Sequence, residues 1–289
     1  MKTSERNLSK MVPRIDADVI RYEIGFCGEY VEDGELKIRE FEFVEKLLNE
    51  SIQGICEAVL ADEPPVLYLT ASEGLINKVN RRNRFLGDEP VVYKPNFREE
   101  IAVTKPYKGT RSGKKPHHFD NITLYMIENY DVRIANGIEA DDLMSIDQMK
   151  DLDNSVICSR DKDLRITKGN HYGWACGKQP EFKFQWVDDL GWLDYNEAKK
   201  KVEGVGLKFF YSQMITGDTV DNIPGVKGKG PKAAYELLYD AESIDECKER
   251  VMSMYKEKYP ENAREYFTEQ ANLLWMLRKE DEVRGWNNV

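Results

Sequence analysis

The sequence predicts an α/β fold, a mainly parallel sheet flanked by helices, and two observations predict it. Short apolar runs starting at Met11, Val66, Asp131 and Ser155 alternate with longer stretches of helical periodicity, the pattern of βαβ units. Acidic residues recur just beyond those runs, at Asp16, Glu139, Asp141, Asp142, Asp161 and Asp163. Sites in such a layer lie past the strand C-termini, so one sheet edge would gather them all.

Residues 1–10 are polar and expected to fray. Residues 11–18 read as a first strand ending in two acids, Asp16 and Asp18. Pro13 cannot donate to a ladder, so it belongs at the strand's start or on its free side. A helix or turn follows over 19–26. Asp33-Gly34, between Tyr30-Val31 and the residues from Leu36, signals a hairpin. From 41 to 61, Phe43, Val44, Leu47, Leu48, Ile52, Ile55 and Val59 keep helical spacing until Pro64-Pro65 ends it. Residues 66–70 form a second buried strand.

Residues 76–120 are basic, rich in Pro and Gly and poor in apolar periodicity, which predicts a long mobile excursion. An amphipathic helix over 121–130 and a strand over 131–135 follow. Gly137-Ile138-Glu139 opens another helix, with Asp141 and Asp142 in its first turn, where the macrodipole favours negative charge. Residues 155–158 are a fourth strand. The aromatic stretch 170–195 reads as a hairpin or edge strands. Beyond Leu207 the chain is helical, over 209–216, 231–239, 244–259 and 263–277. These boundaries give an α/β domain at 11–206, with its basic segment at about 76–120, and a helical region at 207–289.

The chain has 289 residues, enough for one large domain or one large and one small, and a 41% hydrophobic share, enough for a real core. No apolar run approaches transmembrane length and no leader pattern is visible, so a soluble protein that is not secreted is expected. The five cysteines are scattered without a CxxC pair, which points to free thiols rather than zinc. Three histidines leave little room for a histidine-based triad. The net charge of −10 would disfavour nucleic acid, yet from Ile76 to His118 eleven Lys/Arg face four Asp/Glu. An acidic pocket beside a basic strip suits metal-dependent work on a polyanion.

Carboxylates this closely grouped repel one another unless solvent or cations separate them. A solvated acidic helix start accounts for either group alone. Together, at strand ends, they favour a site for Mg²⁺ or Mn²⁺, which prefer oxygen ligands. A third acidic element, Asp218 and Asp221, is three residues apart and therefore faces one way on a helical turn. It runs directly into a loop containing Gly225, Lys227, Gly228, Lys229, Gly230 and Lys232. The glycines let backbone approach a phosphate, the helix starting near Pro231 aims N–H groups at it, and the lysines add charge. That combination reads as a helix–hairpin–helix type of grip on a duplex backbone.

The order of IDAD, YKGTR, GIEADD, SRDKDL and GDTVDNIPGVKGKG resembles the flap-endonuclease and 5′→3′ exonuclease family. Small phage-encoded 5′ nucleases and the 5′-nuclease domain of bacterial DNA polymerase I are the members it is most similar to. The resemblance spans roughly residues 11–240. It implies a PIN-like sheet, a helical arch over the basic segment and a helix–three-turn–helix region near the C-terminus. It further implies two metal sites holding Mg²⁺ or Mn²⁺, with Asp16, Glu139 and Asp141 in the first and Asp142 alongside. Asp161, Asp163, Asp218 and Asp221 match the second. Tyr107, Lys108 and Arg111 match the family's YKxxR at the arch base, facing the scissile phosphate. Residues 225–232 match the element that holds a monovalent cation such as K⁺ against duplex phosphates.

The function so implied is a two-metal, structure-specific 5′ nuclease on DNA with free 5′ ends or flaps, with RNA in RNA–DNA hybrids as a further substrate. A monomer without membrane contact is implied, in a cytoplasm (a host's, for a phage-encoded chain) and beside replication proteins. One departure stands out: relatives end the second strand in an Asp of the metal cluster, where this chain has Ala71, with Glu73 two residues on. Met11 and Pro13 also make the first strand less regular than the family's. Two other classes compete. A PIN-like ribonuclease shares the acidic pocket but lacks an element like residues 217–234. A non-catalytic DNA-junction binder would keep the fold and tolerate the missing acid.

Overall fold

The computed structural model describes residues 10–61, 63–109 and 113–282. The chain forms two compact units. The first comprises residues 1–95, 113–160 and 169–185, and the second 96–112, 161–168 and 186–289.

The fold is mixed α/β, with a mainly parallel central sheet flanked by helices. In chain order, the elements begin with β1 (Val12–Asp16), α1 (Ala17–Cys27), β2 (Glu29–Glu32), β3 (Glu35–Ile38), α2 (Phe41–Ala58), β4 (Val66–Thr70) and α3 (Glu73–Leu86). After α4 (Phe97–Ile101), which belongs to the second unit, come α5 (Phe119–Asn129), β5 (Asp131–Ala135) and α6 (Ala140–Lys150). β6 (Ser155–Cys158), β7 (Gly169–Gly173) and β8 (Phe182–Val187) complete the sheet. Its order is β5-β4-β1-β6-β7-β8. β1 runs parallel to β4 and β6, β4 to β5, and β6 to β7.

Helices α1, α2 and α5, from the connections β1 to β4 and β4 to β5, pack on one face. The return from β5 to β6 puts α6 on the other. On the first face Ile15, Leu67, Leu69, Val156 and Cys158 pack against Ile20, Ile24, Val44, Leu48, Ile52, Ile55, Ile122 and Met126. Each such aliphatic side chain stabilises the unit by about 1.5–3 kcal/mol when fully buried. The α6 face is more polar. Buried Asp147 accepts from Tyr68 Oη at 2.9 Å and Arg133 Nη1 at 2.5 Å, and Gln148 bridges Ser155 Oγ and Asn170 O.

Two expectations need correction. The first strand ends at Asp16, not Asp18. Asp16 is the N-cap of α1, its Oδ1 accepting from Val19 N at 3.1 Å, and so turns the chain into a helix with Asp18 in the first turn. Residues 76–120 are not a structureless excursion, for they contain most of α3, all of α4 and the start of α5. Periodicity could not reveal α3 because it buries only Leu75 and Ile76. Polar side chains order the segment after it. Asn80 exchanges two hydrogen bonds with the Val91 backbone, and Asn83 donates to Glu89 O. Pro13 does sit near the strand start, and pairing with β4 begins just past it, at Arg14. Asp33 and Gly34, with φ of 53° and 80°, make the predicted β2–β3 turn.

The second unit is built around α7 (Gly206–Thr216), buried from Gly206 to Ile215. α8 (Pro231–Leu238), α9 (Ile244–Lys258) and α10 (Ala263–Leu274) pack on it. So does a 3₁₀ turn at Asp163–Ile166. An antiparallel hairpin of β9 (Trp192–Asn196) and β10 (Lys201–Val205) leads into α7. Arg98 anchors α4 to this unit, its buried guanidinium donating to Leu273 O and Trp275 O at the end of α10. Among the described residues no helix is long and apolar enough to cross a membrane.

Candidate functional site

In the first unit, the C-terminal ends of β1, β4, β5 and β6 share one sheet edge because these strands are parallel. Asp16 stands at the end of β1, 2% exposed, and its Oδ2 accepts from Ser159 Oγ at 2.7 Å. Glu139 is the N-cap of α6 and 8% exposed. Asp141, in the first turn, is half-buried. Asp142 has a different position: it is fully buried and its Oδ2 accepts the Glu139 N–H at 3.0 Å, closing a capping box. Thr70, the last residue of β4, ties this edge together. It donates its N–H to Asp18 Oδ2 at 3.0 Å and accepts the Ala140 N–H on Oγ1 at 2.9 Å. Ala71 follows it, hydrogen-bonded through its N–H to Ala135 O at 2.7 Å. Glu73 begins α3 and is exposed.

The second unit holds Asp161, Asp163, Asp218 and Asp221. Asp161 Oδ1 accepts the Asp163 N–H at 2.9 Å, and Gln213 Nε2 donates to Asp163 Oδ1. Asp218 Oδ1 accepts from the N–H groups of Val220 and Asp221. Lys162 Nζ stands 2.9 Å from Asp218 Oδ2 and 3.4 Å from Asp163 Oδ1. Burial, then the charge of Asp161, pushes Asp163 up to about 7. Burial also raises Asp161, against the Asp163 N–H it accepts. Burial works against ionised Asp218 as well, but Lys162 outweighs it and holds that carboxyl below its usual range. Burial is the main cause of the shifts at Asp161 and Asp163, and an all-carboxylate donor set fits a hard divalent cation. Among the described residues no three His, Cys, Asp or Glu side chains converge closely enough to hold a metal ion.

The basic segment meets these acids within the same unit. Tyr107 Oη donates to Asp221 Oδ2 at 3.2 Å, and the Lys108 N–H donates to Asp221 O at 3.0 Å. Asn222 Nδ2 adds a bond to Pro106 O at 2.9 Å. Lys108 Nζ lies 5.0 Å from the centre of the Tyr107 ring. Arg111 lies outside the described residues.

The loop after α7 closes on itself. Asp218 and Ile223 exchange both backbone hydrogen bonds, and the Val226 N–H donates to Ile215 O. Gly217 and Gly225 lie back to back at positive φ, and a Cβ on Gly225 would stand 2.4 Å from Gly217 N. Gly225 is thus buried and serves loop closure rather than access by a phosphate. Gly228, with φ of 82°, meets nothing within 4 Å of a Cβ position, nor does Gly230, the N-cap of α8. Lys227, Lys229 and Lys232 are exposed around them.

Sequence reasoning missed Ser159, Thr70, Lys162 and Gln213. Three carried a signal: Ser159 and Thr70 stand at strand ends, and Lys162 sits between two aspartates. Gln213 carried only its polarity within an apolar helix.

No protein-family model matches this chain. The chain is similar to DNA polymerase I of Lactococcus lactis subsp. lactis, 29% identical over 181 residues, 58% of this chain and 19% of that protein. It is also similar to the flap endonuclease Xni of Shewanella piezotolerans, 30% identical over 142 residues, 46% of this chain and 51% of that protein. It therefore spans about a fifth and about half of these relatives' lengths, and the resemblance to polymerase I and flap endonucleases stands. Among solved structures, a bacteriophage T5 flap endonuclease complex with DNA and metal ions aligns at a TM-score of 0.46 and 13% identity, over 91% of this chain and 93% of that one. The catalytic core of Rad2 with DNA substrate aligns at 0.44 and 13%, over 96% and 77%.

Proposed function

We propose that this chain is a divalent-metal-dependent, structure-specific 5′ nuclease acting on DNA. The observation that carries the reading is the attachment of Tyr107 and Lys108 to Asp221, which sets a cation beside a carboxylate group in one unit. The names of the polymerase and flap-endonuclease relatives support it. Asp16, Glu139 and Asp141 would hold one Mg²⁺ or Mn²⁺, and Asp161, Asp163, Asp218 and Asp221 another. Bound ions supply Lewis-acid polarisation and charge compensation for displacement at phosphorus. Lys108 and Arg111 neutralise charge developing on the phosphoryl oxygens. Lys227, Lys229 and Lys232, with the open backbone at Gly228 and Gly230, hold a duplex through phosphates and so carry no base identity.

The test is cleavage of a 5′-labelled flap duplex, a recessed-end duplex and single-stranded RNA, each with Mg²⁺ or EDTA. Mg²⁺-dependent release from the flap or recessed duplex is expected. Cleavage of the RNA alone would make the chain a PIN-like ribonuclease. Tight flap binding without cleavage would make it a junction binder.

A further inference from the structure

Lys162 separates Asp161 from Asp163 in sequence, and its ammonium bridges Asp163 to Asp218, 55 residues further along the chain. Scaffold donors already fix one oxygen of each carboxylate: Gln213 on Asp163, and the N–H groups of Val220 and Asp221 on Asp218. The ammonium occupies Asp218 Oδ2 and shares Asp163 Oδ1. Asp218 Oδ2 is a lone-pair site that a divalent ion there would need, and two cations so close repel each other. The Lys162 side chain is also 51% exposed, so its four-carbon stem can swing clear without disturbing a packed core.

Resting on the metal-dependent reading above, we propose that Lys162 is a tethered counter-cation that a divalent ion at Asp163 and Asp218 must displace, and that it thereby sets that site's metal affinity. Without metal, it holds the Asp163 and Asp218 carboxylates together. On metal binding, its ammonium leaves for solvent or for a phosphate. One charge-assisted hydrogen bond given up corresponds to roughly tenfold in affinity or more.

The experiment is calorimetric titration of Mn²⁺ into the full chain without DNA, for the wild type, Lys162→Met and Lys162→Arg, at one fixed pH. Lys162→Met should bind Mn²⁺ about tenfold more tightly in one of its binding steps, while Lys162→Arg stays close to wild type. A second measurement uses the wild type alone: acetylation of Lys162, mapped by mass spectrometry, should rise as Mn²⁺ saturates the protein. A folded Lys162→Met protein that binds Mn²⁺ no more tightly overturns the proposal. So does Lys162 labelling that stays flat across the titration. A wild type that binds no Mn²⁺ overturns the metal-dependent reading itself and this inference with it.

Discussion

Ser159 Oγ donates a 2.7 Å hydrogen bond to Asp16 Oδ2, joining the residue after β6 to the last residue of β1. With the Val19 N–H on Oδ1, both carboxylate oxygens of Asp16 are oriented by neighbours at the sheet edge. A ligand held this way gives up less freedom when it binds a cation. Ser159→Ala should therefore raise the Mg²⁺ concentration for half-maximal single-turnover cleavage about fivefold, as expected from losing one hydrogen bond of about 1 kcal/mol. An unchanged midpoint would mean that Ser159 only packs there.

Asp141 and Asp142 are adjacent in sequence and should fail differently. Asp142 is buried and closes the capping box with Glu139, so Asp142→Ala should cost about 1 kcal/mol of stability in urea unfolding. Asp141→Asn should leave the unfolding midpoint nearly unchanged and abolish Mg²⁺-dependent cleavage. Equal losses of stability in the two variants would refute this division of roles.

Ala71 follows β4 at the edge that carries Asp16 and Glu139, and its methyl group offers no oxygen to a cation. Ala71→Asp should lower the Mg²⁺ midpoint several-fold, because a further anionic ligand strengthens binding of a hard cation. Glu73 is exposed at the start of α3 and is not expected to substitute as a ligand. Glu73→Gln should leave the midpoint where it is. A shift with Glu73→Gln but none with Ala71→Asp would reverse the two assignments.

The sheet was legible because its strands are short, apolar and bounded by turn residues. The run at 66–70 and those starting at Asp131 and Ser155 appear with the bounds expected of them. Asp16 was harder to place: whether an acid ends a strand or caps a helix depends on which N–H it accepts, and Val19 decides that. The acids were legible as groups, but their individual duties were not. Asp142 looks like Asp141 until the capping box separates them, and Gly225 looks like Gly228 until one proves buried. α3 escaped because Asn80 and Asn83, not an apolar stripe, hold the segment beyond it. Lys162 was invisible as a partner of Asp218 because that contact depends on the tertiary fold.

Cys247 is buried against the α7 side of the second unit, and burial pushes its thiol up to about 11. A raised thiol pKa in the folded state means that unfolding releases a proton more readily. Its contribution is therefore fully present below the unfolded value near 9 and lost as pH rises towards about 11. The stability gap between wild type and Cys247→Ala, from urea unfolding, should shrink by up to roughly 2–3 kcal/mol across that window. A gap independent of pH would show that the thiol titrates normally.

The last prediction concerns what shapes the lysine-rich loop. The Lys227 N–H donates to Tyr259 Oη at 2.8 Å, and Tyr266 Oη donates to Gly225 O at 3.2 Å. The buried amide of Gln270 accepts the Gly225 N–H at 3.0 Å. None of these side chains carries charge, so none neutralises a phosphate, and their hydrogen bonds hold the loop's shape. Tyr259→Phe should weaken duplex binding a few-fold at every salt concentration and leave the slope of log affinity against log salt unchanged. On the proposed reading Lys229→Ala would remove a phosphate contact, and it should make that slope shallower by about 0.9. Gln270→Leu strands the Gly225 N–H inside the unit and should cost about 1–3 kcal/mol of stability besides. Fluorescence anisotropy of a labelled duplex over a salt series separates these cases. If Tyr259→Phe made the slope shallower as Lys229→Ala does, losing its hydrogen bond to Lys227 would be taking a lysine off phosphate, and the tyrosine would position charge rather than loop shape alone.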